Sequence, residues 1–196
     1  MFVFKLYYFT LRHFNRFQFC FSYLRMWPIL RINRVKFARN IRFLGLTKIS
    51  CISPSSIVIG EGCTFLSLPT SNLIGINRPC IISTHNSSSK ITIGKNVGFS
   101  GTVIGCFDSI IIGDNVLCGA NTLITDGDWH ETDTRSGKPS AVVIEDGVWL
   151  GTGVTILKGV RIGANSLIGA GSVVLCDIPP NVVAAGIPCK VIKSLK

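Results

Sequence analysis

Aliphatic residues recur every sixth position over the C-terminal half: Ile144, Leu150, Ile156, Ile162, Ile168 and Val174. Gly151, Gly163 and Gly169 follow three of them directly, and Val148, Val154, Val160, Ser166 and Ser172 stand four places after successive ones. A helix repeats every 3.6 residues and a strand every 2, so a period of six fits neither. It predicts a parallel β-helix of hexapeptides, with the aliphatic turned inward and the small residue at a corner. Upstream the aliphatic–Gly pair returns at Ile59-Gly60, Ile74-Gly75, Ile93-Gly94 and Ile112-Gly113. Three hexapeptides make one coil, which predicts about six to seven coils over residues 50–180. Asn96, Asp114, Asn115 and Asn165 suit the corners, where positive φ is needed.

The repeat breaks once. Between Ile112 and Ile144 the chain inserts DGDWHETDTRSGKPS, residues 126–140. This loop is polar and holds His130, one of three histidines. A structureless insert in a tightly periodic coil is a candidate functional loop. The C-terminal DIPPNVVAAGIPCKVIK, within residues 177–196, ends the repeat and is a candidate cap for one end of the stack.

Composition divides the chain in two. Residues 1–48 hold ten of the twenty Lys and Arg, all three Tyr and nine of twelve Phe, and the first acid is Glu61. The net charge of +10 therefore belongs to a basic aromatic arm, residues 1–48, and the body, residues 49–196, is neutral. Residues 2–25 lack Gly and Pro and are expected to be helical, with a break at Pro28. On that helix Lys5, Arg12 and Arg16 form a narrow basic stripe. Such an arm either packs on the body or touches an anionic membrane surface through residues 1–25. No nucleic-acid-binding motif accompanies it, and no nucleic acid partner is expected. The apolar runs are too short for a signal peptide or a spanning helix, which argues for a cytoplasmic protein, peripheral at most to the inner face of the membrane. The eight cysteines are dispersed without a CxxC pair and read as reduced packing residues.

The segments IGDNVLCGANTLITDGDWH, GKPSAVVIEDGVWLGTGVTILKGVRIGANSLIGAGSVV and DIPPNVVAAGIPCKVIK carry a resemblance. They are similar to the hexapeptide-repeat acyltransferases, in particular the sugar and polysaccharide O-acetyltransferases of the maltose and galactoside type. The resemblance covers residues 91–196 well and the arm hardly at all. It implies an all-β fold, a left-handed parallel β-helix assembled as a homotrimer, with acetyl-CoA in the groove between neighbours and no metal. It implies an O-acetyltransferase for a sugar hydroxyl, in bacterial surface polysaccharide biosynthesis. His130 matches the family's general base, and free imidazole titrates near 6.5, suited to that task. By the same resemblance Thr152 N–H is the candidate oxyanion donor, and Trp149, Gly151, Thr152, Gly169 and Ala170 lie along the pantetheine arm. Lys190 and Lys193 stand where the family carries Arg and would meet the CoA phosphates. Ser100 occupies the approximate place of an assisting Asn. Asp126 or Asp128 is a candidate for orienting His130. His85 is a candidate for the acceptor side.

Other readings of the residues remain open. The same machinery acetylates other small acceptors, such as an antibiotic, a serine or an amino sugar. A β-helix can also serve as a non-catalytic scaffold. A zinc lyase needs three histidine ligands, and His13 lies in the arm, which argues against that chemistry.

Overall fold

The sixfold repeat winds into a three-sided coil with one parallel sheet on each side. The structure, a computed structural model, describes residues 18–54, 56–130 and 132–195. The expected stripe of Lys5, Arg12 and Arg16, together with His13, lies outside the described residues. The first face stacks Lys36–Phe37, Ile57–Ile59, Lys90–Ile93, Ser109–Ile112, Val142–Ile144 and Arg161–Ile162. The second stacks Arg42–Leu44, Thr64–Leu66, Gly98–Ser100, Leu117–Cys118, Trp149–Leu150 and Leu167–Ile168. The third stacks Lys48–Ser50, Ile81–Thr84, Val103–Cys106, Leu123–Thr125, Thr155–Ile156 and Val173–Val174. At the C-terminal end Val182–Gly186 adds to the second face, and Cys189–Ser194 turns back antiparallel on it.

In-register pairing puts like side chains above one another in the interior. On the second face the inward column runs Phe43, Phe65, Phe99, Cys118, Leu150, Ile168, Ala184. Its three phenylalanines stack with centroids 5.0 Å apart at each step. The third face runs Ile49, Ile82, Ile104, Ile124, Ile156, Val174. Ile57, Ile91, Ile110 and Val142 form one column of the first face. All of these are buried in one continuous core. The corners use the left-handed region as expected at Asn96, Asn115 and Asn165, with φ of 56°, 58° and 58°. Asp114 differs: its φ is not left-handed, and its Oδ1 accepts the Lys95 N–H of the preceding coil at 2.7 Å, tying two successive corners together.

The coil begins earlier than composition suggested. Lys36–Phe37 already pairs with Ile57–Ile59, and Arg42–Leu44 with Thr64–Leu66. The basic residues of this stretch point outward and mask the inward Ile41, Phe43 and Ile49. The helix also runs past Pro28, through residues 18–32. Met26 and Leu30, on either side of the proline, are fully buried in the core and hold the helix on the first coil. It ends instead at Arg34, whose φ is +48°. There Val35 N–H reaches Leu30 C=O at 2.9 Å and Arg34 N–H reaches Arg31 C=O at 3.0 Å, a Schellman closure with Val35 packed under Leu30. The eight cysteines are all free thiols. Six are buried or half-buried, whereas Cys20 and Cys176 are exposed and pack nothing.

The insert is closed at the two residues where the pattern broke. Ser140 N–H donates to Asp126 C=O at 2.9 Å, and Gly159 N–H to Ser140 C=O at 2.9 Å. The Asp126 side chain is completely buried and accepts from Phe107 N–H at 2.6 Å, Asp108 N–H at 2.9 Å and the Cys106 thiol at 3.3 Å. Burial and the neighbouring Asp126 charge push the Cys106 thiol well above its ordinary range. Asp126 thus pins the start of the loop to the coil below. Replacing Asp126 with Ala leaves two buried amides unpaired and should cost roughly 2–3 kcal/mol, read as a lowered midpoint in chemical denaturation.

Candidate active site

Each coil visits its three faces in the same order, so its three corners form three edges of a prism. Trp149, Gly151, Thr152, Gly169 and Ala170 line one groove of about 400 Å³, together with Asn72, Ile74, Gly119 and Ala120. The groove runs along the second face and the edge between the second and third faces. Trp149 sits in an outward row that continues through Leu167 and Val183 to Lys193. Three strand steps separate Trp149 from Lys193, about 14 Å. A second, small-residue row holds Gly151, Gly169 and Ala185, and Ala185 pairs with Lys190. A Cβ at Gly151 would come 2.6 Å from the Ala170 nitrogen, and one at Gly169 would come 2.7 Å from the Ala185 Cβ. These two positions therefore need glycine, and the groove floor is bare backbone. Both lysines are exposed at one end of the rows. Thr152 N–H makes no hydrogen bond among the described residues, while Thr152 C=O accepts from Gly171 N–H at 2.8 Å.

Ser100 is buried at the end of Gly98–Ser100 and accepts a hydrogen bond from Asn72 Nδ2 at 3.1 Å. It shares a recess with Asn72, Gly119 and Trp149, continuous with the groove. Asn72 and Ile74 were not legible as site residues. They belong to a second excursion, residues 67–80, which leaves the same edge one coil earlier. It is fastened to Asn121, whose Oδ1 accepts Asn77 N–H at 3.0 Å and whose Nδ2 donates to Gly75 C=O at 3.0 Å. The pair Ile74-Gly75, counted from the sequence as part of the repeat, lies in this excursion instead, with Ile74 exposed and Gly75 at φ of +97°.

His130 stands on a different edge. Its loop leaves the third face after Leu123–Thr125 and returns to the first face at Val142–Ile144. The residue before it, Trp129, has φ of +65° and is held on three sides. Its indole N–H donates to Thr125 Oγ1 at 3.0 Å. Its ring meets His85 and Phe107 edge-on, with centroids 4.7 and 5.3 Å away. It also lies over Gly105, where a Cβ would come 2.2 Å from the ring. His85 stacks on Phe107 at 4.5 Å and shares a hydrogen bond with Ser83 Oγ at 2.9 Å. His85 thus belongs to the support beneath the His130 loop. Further along the loop, Asp133 N–H and the Ser136 hydroxyl bond to the His130 C=O.

The two aspartates considered as orienters are engaged elsewhere. Asp126 serves the backbone of residues 107 and 108, as described above. Asp128 is paired with Lys158 and accepts Gly137 N–H at 2.9 Å. Lys158 and then Gly137 N–H hold its carboxyl below the usual carboxylate range. Asp128 ties the loop to the coil rather than to the imidazole. Among the described residues no three His, Cys, Asp or Glu side chains come together as a metal site.

The sequence matches the bacterial transferase hexapeptide (six repeats) family over residues 141–176. It is 43% identical over 113 residues to galactoside O-acetyltransferase of Escherichia coli (strain K12), covering 55% of each chain. The chain spans about half the length of the curated relatives it matches. Among solved structures it resembles a maltose O-acetyltransferase from Clostridium difficile 630, with 28% identity, a TM-score of 0.51 and coverage of 89% of this chain and 77% of that one. It also resembles a hexapeptide-repeat acetyltransferase complexed with acetyl coenzyme A from Vibrio cholerae O1 biovar eltor. That likeness has 29% identity and a TM-score of 0.50, and covers 77% of this chain and 70% of that one. With its three parallel faces, its inward columns and its repeats matched over residues 141–176, the chain has the left-handed β-helix fold of the hexapeptide-repeat proteins and is similar to the acetyltransferases among them.

Proposed function

We propose that this protein is an acetyl-CoA-dependent O-acetyltransferase for a sugar hydroxyl, with His130 as general base. The observation that carries the reading is the groove. Five residues singled out by resemblance alone line one continuous surface, floored by glycine backbone and walled by Trp149. Such a floor admits a slender, largely apolar arm, and Lys190 and Lys193 supply cations at its end for phosphates. A solved relative holds acetyl coenzyme A, and the galactoside and maltose enzymes are named for sugar acceptors.

In this reading His130 takes the proton from the acceptor hydroxyl as the oxygen attacks the thioester carbonyl. The new C–O bond forms, the C–S bond breaks, and the proton passes from the imidazole to the departing thiolate. In the same reading the Thr152 N–H, which has no other partner among the described residues, stabilises the oxyanion. The roles of His130 and the groove require different prism edges to meet. A neighbouring copy that lays its His130 edge against this groove satisfies that requirement, and a homotrimer of such contacts closes on itself. The polysaccharide setting and the identity of the sugar are parts of the proposal that acceptor screening would resolve.

The direct test is calorimetric titration of acetyl-CoA, with the mass in solution recorded alongside. Saturable binding of about one acetyl-CoA per chain in a trimer is expected; no binding by the folded protein would remove the proposed donor. Trp149→Ala should weaken acetyl-CoA binding about tenfold with an unchanged melting temperature, since the ring is half exposed. His130→Ala should slow acetyl transfer by roughly 10²–10⁴-fold at unchanged acetyl-CoA affinity. A variant as fast as wild type would place the base elsewhere. Gly105→Ala drives a methyl into the Trp129 ring and should lower kcat about tenfold while KM for acetyl-CoA holds, if the ring positions His130. Steady-state kinetics with both substrates varied separates these outcomes.

A further inference from the structure

The end of the prism that carries the N-terminal helix differs from every other surface of the molecule. The helix over residues 18–32 turns Ser22, Met26 and Leu30 onto the first coil, all buried. At about 100° per residue, Phe21, Leu24, Pro28 and Ile32 fall within roughly 80° on the opposite side. Leu24, Pro28 and Ile32 face away from the body, while Phe21, at the margin, borders a groove that it shares with Leu46 and Leu68 of the coil. Leu24 is 71% exposed and Ile32 80% exposed. Arg25 borders this stripe on one flank and Arg31 on the other. Their guanidinium groups lie over neighbouring rings, Arg25 over Phe21 at 5.6 Å and Arg31 over Trp27 at 5.1 Å. Beyond the helix the first coil adds the exposed Arg34, Lys36, Arg39 and Arg42, with no acid before Glu61.

We infer that this helix is an interfacial anchor that seats the protein on an anionic lipid bilayer, with the helix axis in the membrane plane. An apolar stripe flanked by arginines, with aromatic rings at the rim, matches the boundary between acyl chains and headgroups. The basic first coil then meets the negative surface. Among the described residues no helix is long and apolar enough to cross a membrane, and the contact we infer is a peripheral one. A second copy is the poorer occupant. Two stripes brought face to face would bring Arg25, Arg31 and the basic coil of each copy together, and like charges oppose that contact. The anchor is independent of the acyl-transfer chemistry, because the stripe shares no residue with the groove or with the His130 loop. It would, however, hold the enzyme at a surface where a lipid-linked acceptor is presented.

The full chain should be sedimented with phosphatidylcholine vesicles, with and without phosphatidylglycerol, at roughly 0.05 M and 0.5 M salt. Binding is expected to the anionic vesicles, and it should fall at least about tenfold on neutral vesicles or at high salt. The double variant Leu24→Glu, Ile32→Glu should lose binding by about tenfold or more. Arg25→Gln with Arg31→Gln should lose much of the salt-sensitive part. All four positions are exposed, and circular dichroism together with acetyl-CoA titration should remain as in wild type, which separates this test from that of the proposed activity. Equal binding to neutral and anionic vesicles would overturn the inference. So would wild-type binding by the glutamate variant. A wild-type assembly that dissociates on the glutamate substitutions would assign the stripe to a second copy instead.

Discussion

Register between coils is the constraint on which the rest of this protein depends. Strands hydrogen-bond to those one coil above and below, so inward side chains stack in continuous columns along the axis. The columns Phe43–Phe65–Phe99 and Ile49–Ile82–Ile104–Ile124 are the result. A residue added within a face would shift a whole column out of the core. Extra residues can leave only at a corner. The two excursions, 67–80 and 126–140, do so at different edges, and each brings functional candidates with it.

Those corners carry a polar cost that the structure meets locally. A loop leaving a sheet frees backbone groups beneath it, and these need partners. Asp126 supplies them below the His130 loop, with a buried carboxylate on two amides. At the other excursion Asn121 instead pairs the excursion's own backbone, accepting Asn77 N–H and donating to Gly75 C=O. Trp129 then covers Gly105 and Thr125, neighbours in an outward row of the third face. The backbone just before His130 is held by the packing of Trp129 one residue upstream, and neither Asp126 nor Asp128 is bonded to the imidazole.

The fold was legible because its signal is repeated. Six-residue spacing states the same fact at Ile144, Leu150, Ile156, Ile162 and Ile168, and one exception reads as an exception. The first coil was obscured because it is stated once, in KFARNIRFLGLTK, where four outward basic residues, Lys36, Arg39, Arg42 and Lys48, outnumber the inward aliphatics Ile41 and Leu44. Pro28 misled for a related reason. A local rule against proline in helices is outweighed where Met26 and Leu30 gain a fully buried site on the coil.

The sequence by itself determined the architecture and the position of the loop, because period and its interruption are local properties of the chain, and its resemblance to the hexapeptide-repeat acyltransferases pointed to the groove residues. Only the tertiary structure decided which of these share a surface. Trp149, Gly151 and Gly169 meet because coils stack at one strand spacing, and that stacking carries the rows on to Lys193 and Lys190. Asp128 faces Lys158 and not His130, although it is two residues from one and thirty from the other, because a corner turns successive side chains to different neighbours. Proximity in a coil is set by the step to the next turn, and sequence distance measures it only in multiples of that step.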